Sequence, residues 1–462
     1  MIDFMPTLLK TTIHLYIFIG TILFVVLGFY CEDIISYYNF INILLFMSYV
    51  IILWCNIGKD EEYYSYGRLG ITVFSYSIIF VFMLLDASVY YSGDTYFWDY
   101  TDPYAYSQVD NAIVESETPF LDQPVLIQKL WPNWGFQDWG ASMTQSLFLN
   151  LIHSRYFLFT VQTAVGAVGA MLMYSFGKEI MQPAYAYMAA LTYSISSFSI
   201  FYYASFRKEI FMVLIVIVCF WAFYKYLSSK NIGFLALSFF MAILMAFFRG
   251  AVTGLMLIGI MSYFGGRKLN KNNAKPVLFL ILAVLAISAP VIIAKLNSFA
   301  DDLSRNENYV DTTPFGIVTS TVGVLIGPFP QLVQLGVTNM SQLPWYGPGL
   351  LLKFMLFLAF WNGFVHVLKK WEVTIFPLFV FTILEMIALA IMNDGLELRK
   401  AMPHISTFYI AAFWFISEYD KRTETEDSTP PLLPLPKAKP EMVLFGLSLF
   451  VFFATFVWDT MR

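Results

Sequence analysis

Charge is scarce in this chain, and so are the side chains that build most soluble active sites. Only 13% of the 462 residues are Asp, Glu, Lys or Arg. Soluble domains carry about 25%, so this composition cannot clothe a chain of this length for water. Cysteine is nearly absent: Cys31, Cys55 and Cys219 lie far apart and offer no pair, which argues against a disulfide framework or a metal knot. The four histidines, His14, His153, His366 and His404, are equally scattered, so a His-based metal site is not expected. A net charge of -5 with no basic block gives no footing for nucleic-acid binding. No internal repeat is evident, which weighs against inverted-repeat transporter architectures.

What the chain has in excess is apolar sequence: 58% hydrophobic residues and a mean hydropathy of +0.66. A membrane span needs roughly 17–25 mostly apolar residues. Such runs recur at Thr11–Tyr30, Asn39–Ile57, Leu69–Tyr91, Tyr156–Phe176, Tyr185–Tyr203, Ile210–Tyr226, Ile232–Phe248, Ala251–Phe264, Val277–Leu296, Leu350–Val367, Val373–Met392, His404–Ser417 and Met442–Trp458. The expected fold is therefore an all-α polytopic membrane protein of about thirteen spans. The run from Ile232 to Phe264 is too long for one ordinary span, so a hairpin turning at Arg249-Gly250 is expected.

Positive charge orients the spans. Arg68, Lys178, Lys225, Lys230, Arg267, Lys268, Lys271, Lys275, Lys369, Lys370, Lys421 and Arg422 fall in the short loops on one side. That side is read as cytoplasmic, together with the N-terminus. The segment 92–155, the segment 297–348 and the C-terminal end are then external. Glu418–Pro440 is a Pro-rich charged linker to the last span.

The external segment between Tyr91 and Tyr156 is acidic and aromatic. It carries eight Asp or Glu against Lys129 and Arg155, and four tryptophans: Trp98, Trp131, Trp134 and Trp139. A plain connection is far shorter. Carboxylates beside flat aromatic faces suit sugar chemistry, with acids to manage protons or a metal and rings to stack on sugar faces. The plainer reading is a solvated loop with Trp anchors at the bilayer interface. The second external segment is polar at first, then apolar and broken at Gly327-Pro328-Phe329-Pro330, as in a re-entrant or interfacial stretch.

Several cations stand on the external side, against the orientation bias: Arg207 and Lys208 with Glu209, then Arg249, then Arg399 and Lys400. Together they would frame a cationic pocket for a lipid phosphate. Singly, each would serve as a snorkelling side chain at the headgroups.

These features occur in a recognisable order. A span ends in Gly93-Asp94, followed by Tyr96, Asp99, Asp102, Tyr104 and Tyr106. Arg207-Lys208-Glu209 follows a Tyr/Ser-rich span end, Phe247-Phe248-Arg249-Gly250 ends another, and Gly-Pro-Phe-Pro and Arg399-Lys400-x-x-Pro403 come later. In this the chain resembles bacterial membrane proteins of surface-polysaccharide synthesis, especially the C-type membrane glycosyltransferases. The resemblance covers about Asp86 to His404. It implies a polyprenyl-phosphate-linked sugar donor at the outer face, with a glycan or lipid acceptor. An acid early in the first external loop would be the catalytic base or hold a divalent cation. That role falls on Asp94, with Asp99 and Asp102 as competitors. Arg207, Lys208, Arg249, Arg399 and Lys400 would meet the donor phosphate, with Glu209 orienting Arg207 or Lys208. Residues 69–417 would form the core, with 1–68 an accessory hairpin and 441–462 an accessory span. The three arginines Arg207, Arg249 and Arg399 are expected to converge beneath the acidic loop, floored by Gly327–Pro330. An O-antigen or capsule polymerase is the alternative enzyme. A transporter or flippase of lipid-linked sugars is the non-enzymatic one. It would place ionisable residues inside spans, where the main candidates are Asp86, Lys295 and Glu385.

Overall fold

The computed structural model describes residues 59–94, 102–132, 134–268, 347–391 and 398–424, with scattered positions between 41 and 57. Among the described residues the chain is helical and has no strand. In order the helices are α1 (Tyr66–Ser92), α2 (Asp102–Glu115), α3 (Gln123–Leu130), α4 (Trp139–Leu151), α5 (Arg155–Gly177), α6 (Pro183–Ser194), α7 (Ser197–Tyr203), α8 (Glu209–Ser229), α9 (Ile232–Leu244), α10 (Gly250–Lys268), α11 (Gly347–Lys370), α12 (Phe376–Ile391) and α13 (Leu398–Glu424). Short 3-10 turns at Phe136–Asp138 and Met245–Phe247 precede α4 and α10.

Three of these helices, α1, α5 and α8, are long and apolar enough to cross a membrane. The 21 residues of α8 rise about 31 Å, close to the hydrocarbon thickness of a bilayer. The stretch Ile232–Phe247 and α12 are apolar but shorter. The runs at 11–30, 277–296 and 442–458 and the Gly327–Pro330 break lie outside the described residues, as does most of 39–57.

Helix α8 sits at the centre. Ile210, Phe211, Met212 and Val213 are consecutive, so they point to different sides of it, and all are buried, the pattern of a helix enclosed by others. It packs on α5, α9 and α13, while α1 packs on α5 and α10 on α12.

Contacts between helix ends sort the bundle into two ends. At one, the Lys178 ammonium lies 4.3 Å from the Tyr66 ring, and Lys225 pairs with Glu179. There too Tyr224 donates to the Thr374 carbonyl at 3.0 Å, and the Trp371 indole donates to the Gly266 carbonyl at 3.1 Å. Tyr185 donates to Asp420 at 2.6 Å. The short-loop cations Arg68, Lys178, Lys225, Lys230, Arg267, Lys268, Lys369, Lys370 and Lys421 therefore share this end. At the other end Tyr156 donates to Asp86 at 3.0 Å, and the segment 102–151 packs on α5 and meets Arg207 and Lys208 just before α8.

Helices α9 and α10 form the expected hairpin. Phe248, just before α10, meets Phe211 at the start of α8, while Tyr263 and Phe264 meet Phe223 toward its end. The expected single span Tyr185–Tyr203 is instead two helices, α6 and α7. Serine chemistry explains the break. Ser196 and Ser199 both donate to the Tyr193 carbonyl, at 2.6 and 2.8 Å, and the Tyr203 hydroxyl takes the Ser194 carbonyl. Carbonyls satisfied by side chains no longer need the helical ladder.

The acidic segment is not a loop. Helices α2, α3 and α4 form a small layer with its own core of Val109, Ile113 and Ile127, flanked by Trp134, Trp139 and Met143. The layer is pressed onto the bundle at Gly140. A Cβ there would come within 2.8 Å of the Phe247 carbonyl and the Phe248 ring, so only glycine allows this approach.

Candidate functional site

The candidate site is the junction between this layer and the bundle. Helix α1 ends at Gly93, whose φ of +74° is the left-handed conformation of a helix C-cap. That turn brings Asp94 immediately after the helix. Asp94 is half-buried, and its carbonyl accepts from the Ser88 hydroxyl at 2.8 Å. Asp99 lies outside the described residues. Asp102 opens α2, and its side chain lies outside them too.

Arg207, Lys208 and Glu209 join α7 to α8. Arg207 is 2% exposed and Glu209 1%, so neither stands at the open surface. The cause is α4, which lies over them, with the Gln145 amide reaching the Arg207 carbonyl at 3.5 Å. Nor does Glu209 hold Lys208. Lys208 pairs instead with Asp138, at 2.6 Å, from the turn that precedes α4.

Arg249 approaches the same junction from the α9–α10 hairpin. Its neighbours Phe247 and Phe248 touch Phe136, Gly140 and Phe211. The Arg207 and Arg249 segments thus lie under one layer. Arg249 is half-buried and within electrostatic reach of Glu385 on α12. Arg399 and Lys400 lie in the first turn of α13, but their side chains lie outside the described residues.

The aromatic part of the layer is ordered by stacking. Trp131 stacks on Trp134 with centroids 5.6 Å apart and planes 18° apart, and Tyr106 backs Trp134 at 4.8 Å. Trp131 is 36% exposed, so an indole face is presented to solvent on a rigid support.

Four residues of this region were not singled out from the sequence. Asp138 and Asp110 were two acids among eight. Asp110 lies on α2 beside Val109 and is fully buried; among the described residues, neither of its carboxylate oxygens has a hydrogen-bond partner. Burial pushes its carboxyl well above the usual range, and the nearby Ser142 hydroxyl only partly opposes this. Lys353 and His404 are buried on α11 and α13; His404 lies close to Glu385 on α12, and Lys353 is within electrostatic reach of His404. A lysine inside the apolar run Leu351-Leu352-Lys353-Phe354 was the available signal.

Among the described residues, no three His, Cys, Asp or Glu side chains come together as a metal site requires. No step is assigned to a divalent cation. No family model matches the chain, and no curated protein matches it.

Proposed function

We propose that this chain is a membrane glycosyltransferase of the outer face of a bacterial plasma membrane, with its N-terminus in the cytoplasm. It moves a sugar from a polyprenyl-phosphate-linked donor to a glycan or lipid acceptor. The observation that carries this reading is the exposed Trp131 face, backed by Trp134 and Tyr106, in the same layer that ties Asp138 to Lys208. A flat apolar ring beside acids is the surface a sugar needs.

In the proposed step, the acceptor hydroxyl oxygen bonds to the anomeric carbon as the bond from that carbon to the phosphate oxygen breaks. The hydroxyl proton passes to the Asp94 carboxylate, and the electron pair leaves with the phosphate. Burial of Arg207 and neutralisation of Lys208 by Asp138 make these two framework groups. Arg249, half-buried at the hairpin tip, is the described cation best placed for the leaving phosphate.

The test uses membranes holding the full chain and a donor labelled in its sugar. Transfer of label from lipid to acceptor is expected, with Asp94→Asn slower by about 100- to 10,000-fold. Transfer at the wild-type rate in Asp94→Asn removes that residue from the chemistry. Label that crosses the bilayer still attached to lipid overturns the enzyme reading. That outcome fits a flippase, which the interior charges Lys353, Glu385 and His404 favour.

A further inference from the structure

Three ionisable side chains from three helices are enclosed in the bundle, toward its acidic-layer end. Lys353 on α11, Glu385 on α12 and His404 on α13 are each no more than 3% exposed. His404 Nδ1 lies 3.8 Å from Glu385 Oε2, beyond hydrogen-bond distance. Among the described residues, neither ring nitrogen of His404 nor Oε2 of Glu385 makes a hydrogen bond. One turn further into the bundle, on the same two helices, the hydroxyls of Thr382 and Thr407 meet at 2.7 Å. A polar seam thus runs between α12 and α13 with its unsatisfied atoms at the outer end.

Buried polar atoms left without partners are costly. A pair held only for structure would close the gap or be replaced by apolar side chains. The surroundings are close-packed: Ile405 and Met386 beside the pair, and Phe408 one turn below, are all buried. A ligand of several atoms would have to displace them. A proton would not.

We propose that Glu385 and His404 together form a proton-binding site inside the bundle, reached from the acidic-layer end. A proton from that side bonds to Glu385 Oε2. It then passes to His404 Nδ1: the O–H bond breaks, the N–H bond forms, and a carboxylate and an imidazolium remain. Transfer requires the two atoms to approach by about 1 Å, to ordinary hydrogen-bond distance.

Among the described residues the charged neighbours are few. Helix α11 supplies Lys353, within electrostatic reach of His404 and with its ammonium 5.3 Å from the Phe408 ring. The start of α10 supplies Arg249, within reach of Glu385. Helix α6 offers the Tyr193 phenol, against Tyr409. On α8 the charged groups are at the ends, Glu209 at one and Lys225, paired with Glu179, at the other, with the Cys219 thiol between them hydrogen-bonded to Ser238. His366 of α11 pairs with Glu372, and Asp420 of α13 with Tyr185, both at the far end. The site stands apart from Asp94 and Trp131, and it does not depend on the glycosyltransferase reading.

The test is infrared difference spectroscopy on the purified full chain in detergent, between about pH 5 and about pH 8. Asp110→Asn serves as background, to remove the buried acid of the outer layer. Acidification should raise an imidazolium band as the first proton settles on His404, and a carboxylic-acid band as a second proton binds Glu385. Glu385→Gln should remove the acid band and move the imidazole transition by about tenfold in proton concentration, as for coupled sites. His404→Asn should move the acid band by a similar factor. Bands that ignore each other's substitution overturn the proposal, as does the absence of any change over this range. If Glu385→Gln does not fold, Glu385→Asp keeps the carboxyl, and uncoupled bands in that variant overturn it equally. Sugar transfer is not read in this experiment, so its outcome is separate from that of the transfer assay.

Discussion

The Lys208 ammonium sits 2.6 Å from Asp138 Oδ1, so one charged hydrogen bond joins segments 70 residues apart. Their side chains are 12% and 20% exposed, dry enough for the contact to matter and wet enough to form without a large desolvation cost. Asp138→Asn should loosen the layer from the bundle by about 1–3 kcal/mol, the usual worth of a hydrogen bond to a charged group. A double-mutant cycle with Lys208→Met, read by thermal unfolding and by protease cleavage within 102–151, should give coupling of about 0.5–3 kcal/mol. Additive effects would mean that the layer is held by Gly140 and its aromatic contacts alone.

Trp131 makes a separate forecast. Its exposed face is supported by Trp134 rather than by the core, so Trp131→Ala should leave stability within about 0.5 kcal/mol. If the face stacks on a sugar, KM for the sugar substrate should rise by roughly tenfold, about 1.4 kcal/mol. Trp131→Phe should recover most of that. Unchanged KM in Trp131→Ala would leave the indole as an interfacial anchor.

Asp110 gives the layer a pH dependence of known sign. Its folded carboxyl is held well above the usual range by burial. The folded state therefore binds the proton more tightly than the unfolded chain. This contribution is fully present below the ordinary Asp range, near 3.9, and is lost as pH rises through the folded value. Layer stability in wild type relative to Asp110→Asn should then be greatest in acid and fall with rising pH. Parallel pH profiles for the two proteins would show that Asp110 is solvated.

The end-sorting of charge predicts topology. Glu117 lies in the acidic layer and Lys268 at the cationic end of α10, and both are exposed. In a background lacking Cys31, Cys55 and Cys219, Glu117→Cys should react with an impermeant thiol reagent in intact cells. Lys268→Cys should react only after permeabilisation. The reverse pattern would invert the orientation.

Much of the architecture was readable along the chain. The runs Leu69–Tyr91, Tyr156–Phe176 and Ile210–Tyr226 reappear within a few residues as α1, α5 and α8. Apolar stretches of that length have few choices, because every backbone group must be satisfied within the segment. The hairpin at Arg249-Gly250 was legible for the same reason, since its two halves together exceed one span. The break inside Tyr185–Tyr203 was not. Whether Ser196 and Ser199 serve the helix or capture the Tyr193 carbonyl depends on local geometry that apolar periodicity does not encode.

At the site the division is sharper. Composition alone marked the segment 92–155 as acidic, aromatic and too long for a connection, and it marked Arg207, Lys208 and Arg249 as cations on the wrong side. It could not show that α4 would bury Arg207, that Asp138 would take Lys208, or that Glu385 and His404 would meet. Those are contacts between helices far apart in the chain. Hydrophobic length and charge bias act residue by residue and are written in the order of amino acids. Burial of a charge, and the choice of its partner, depend on which helix faces pack together, and only the tertiary structure decides that.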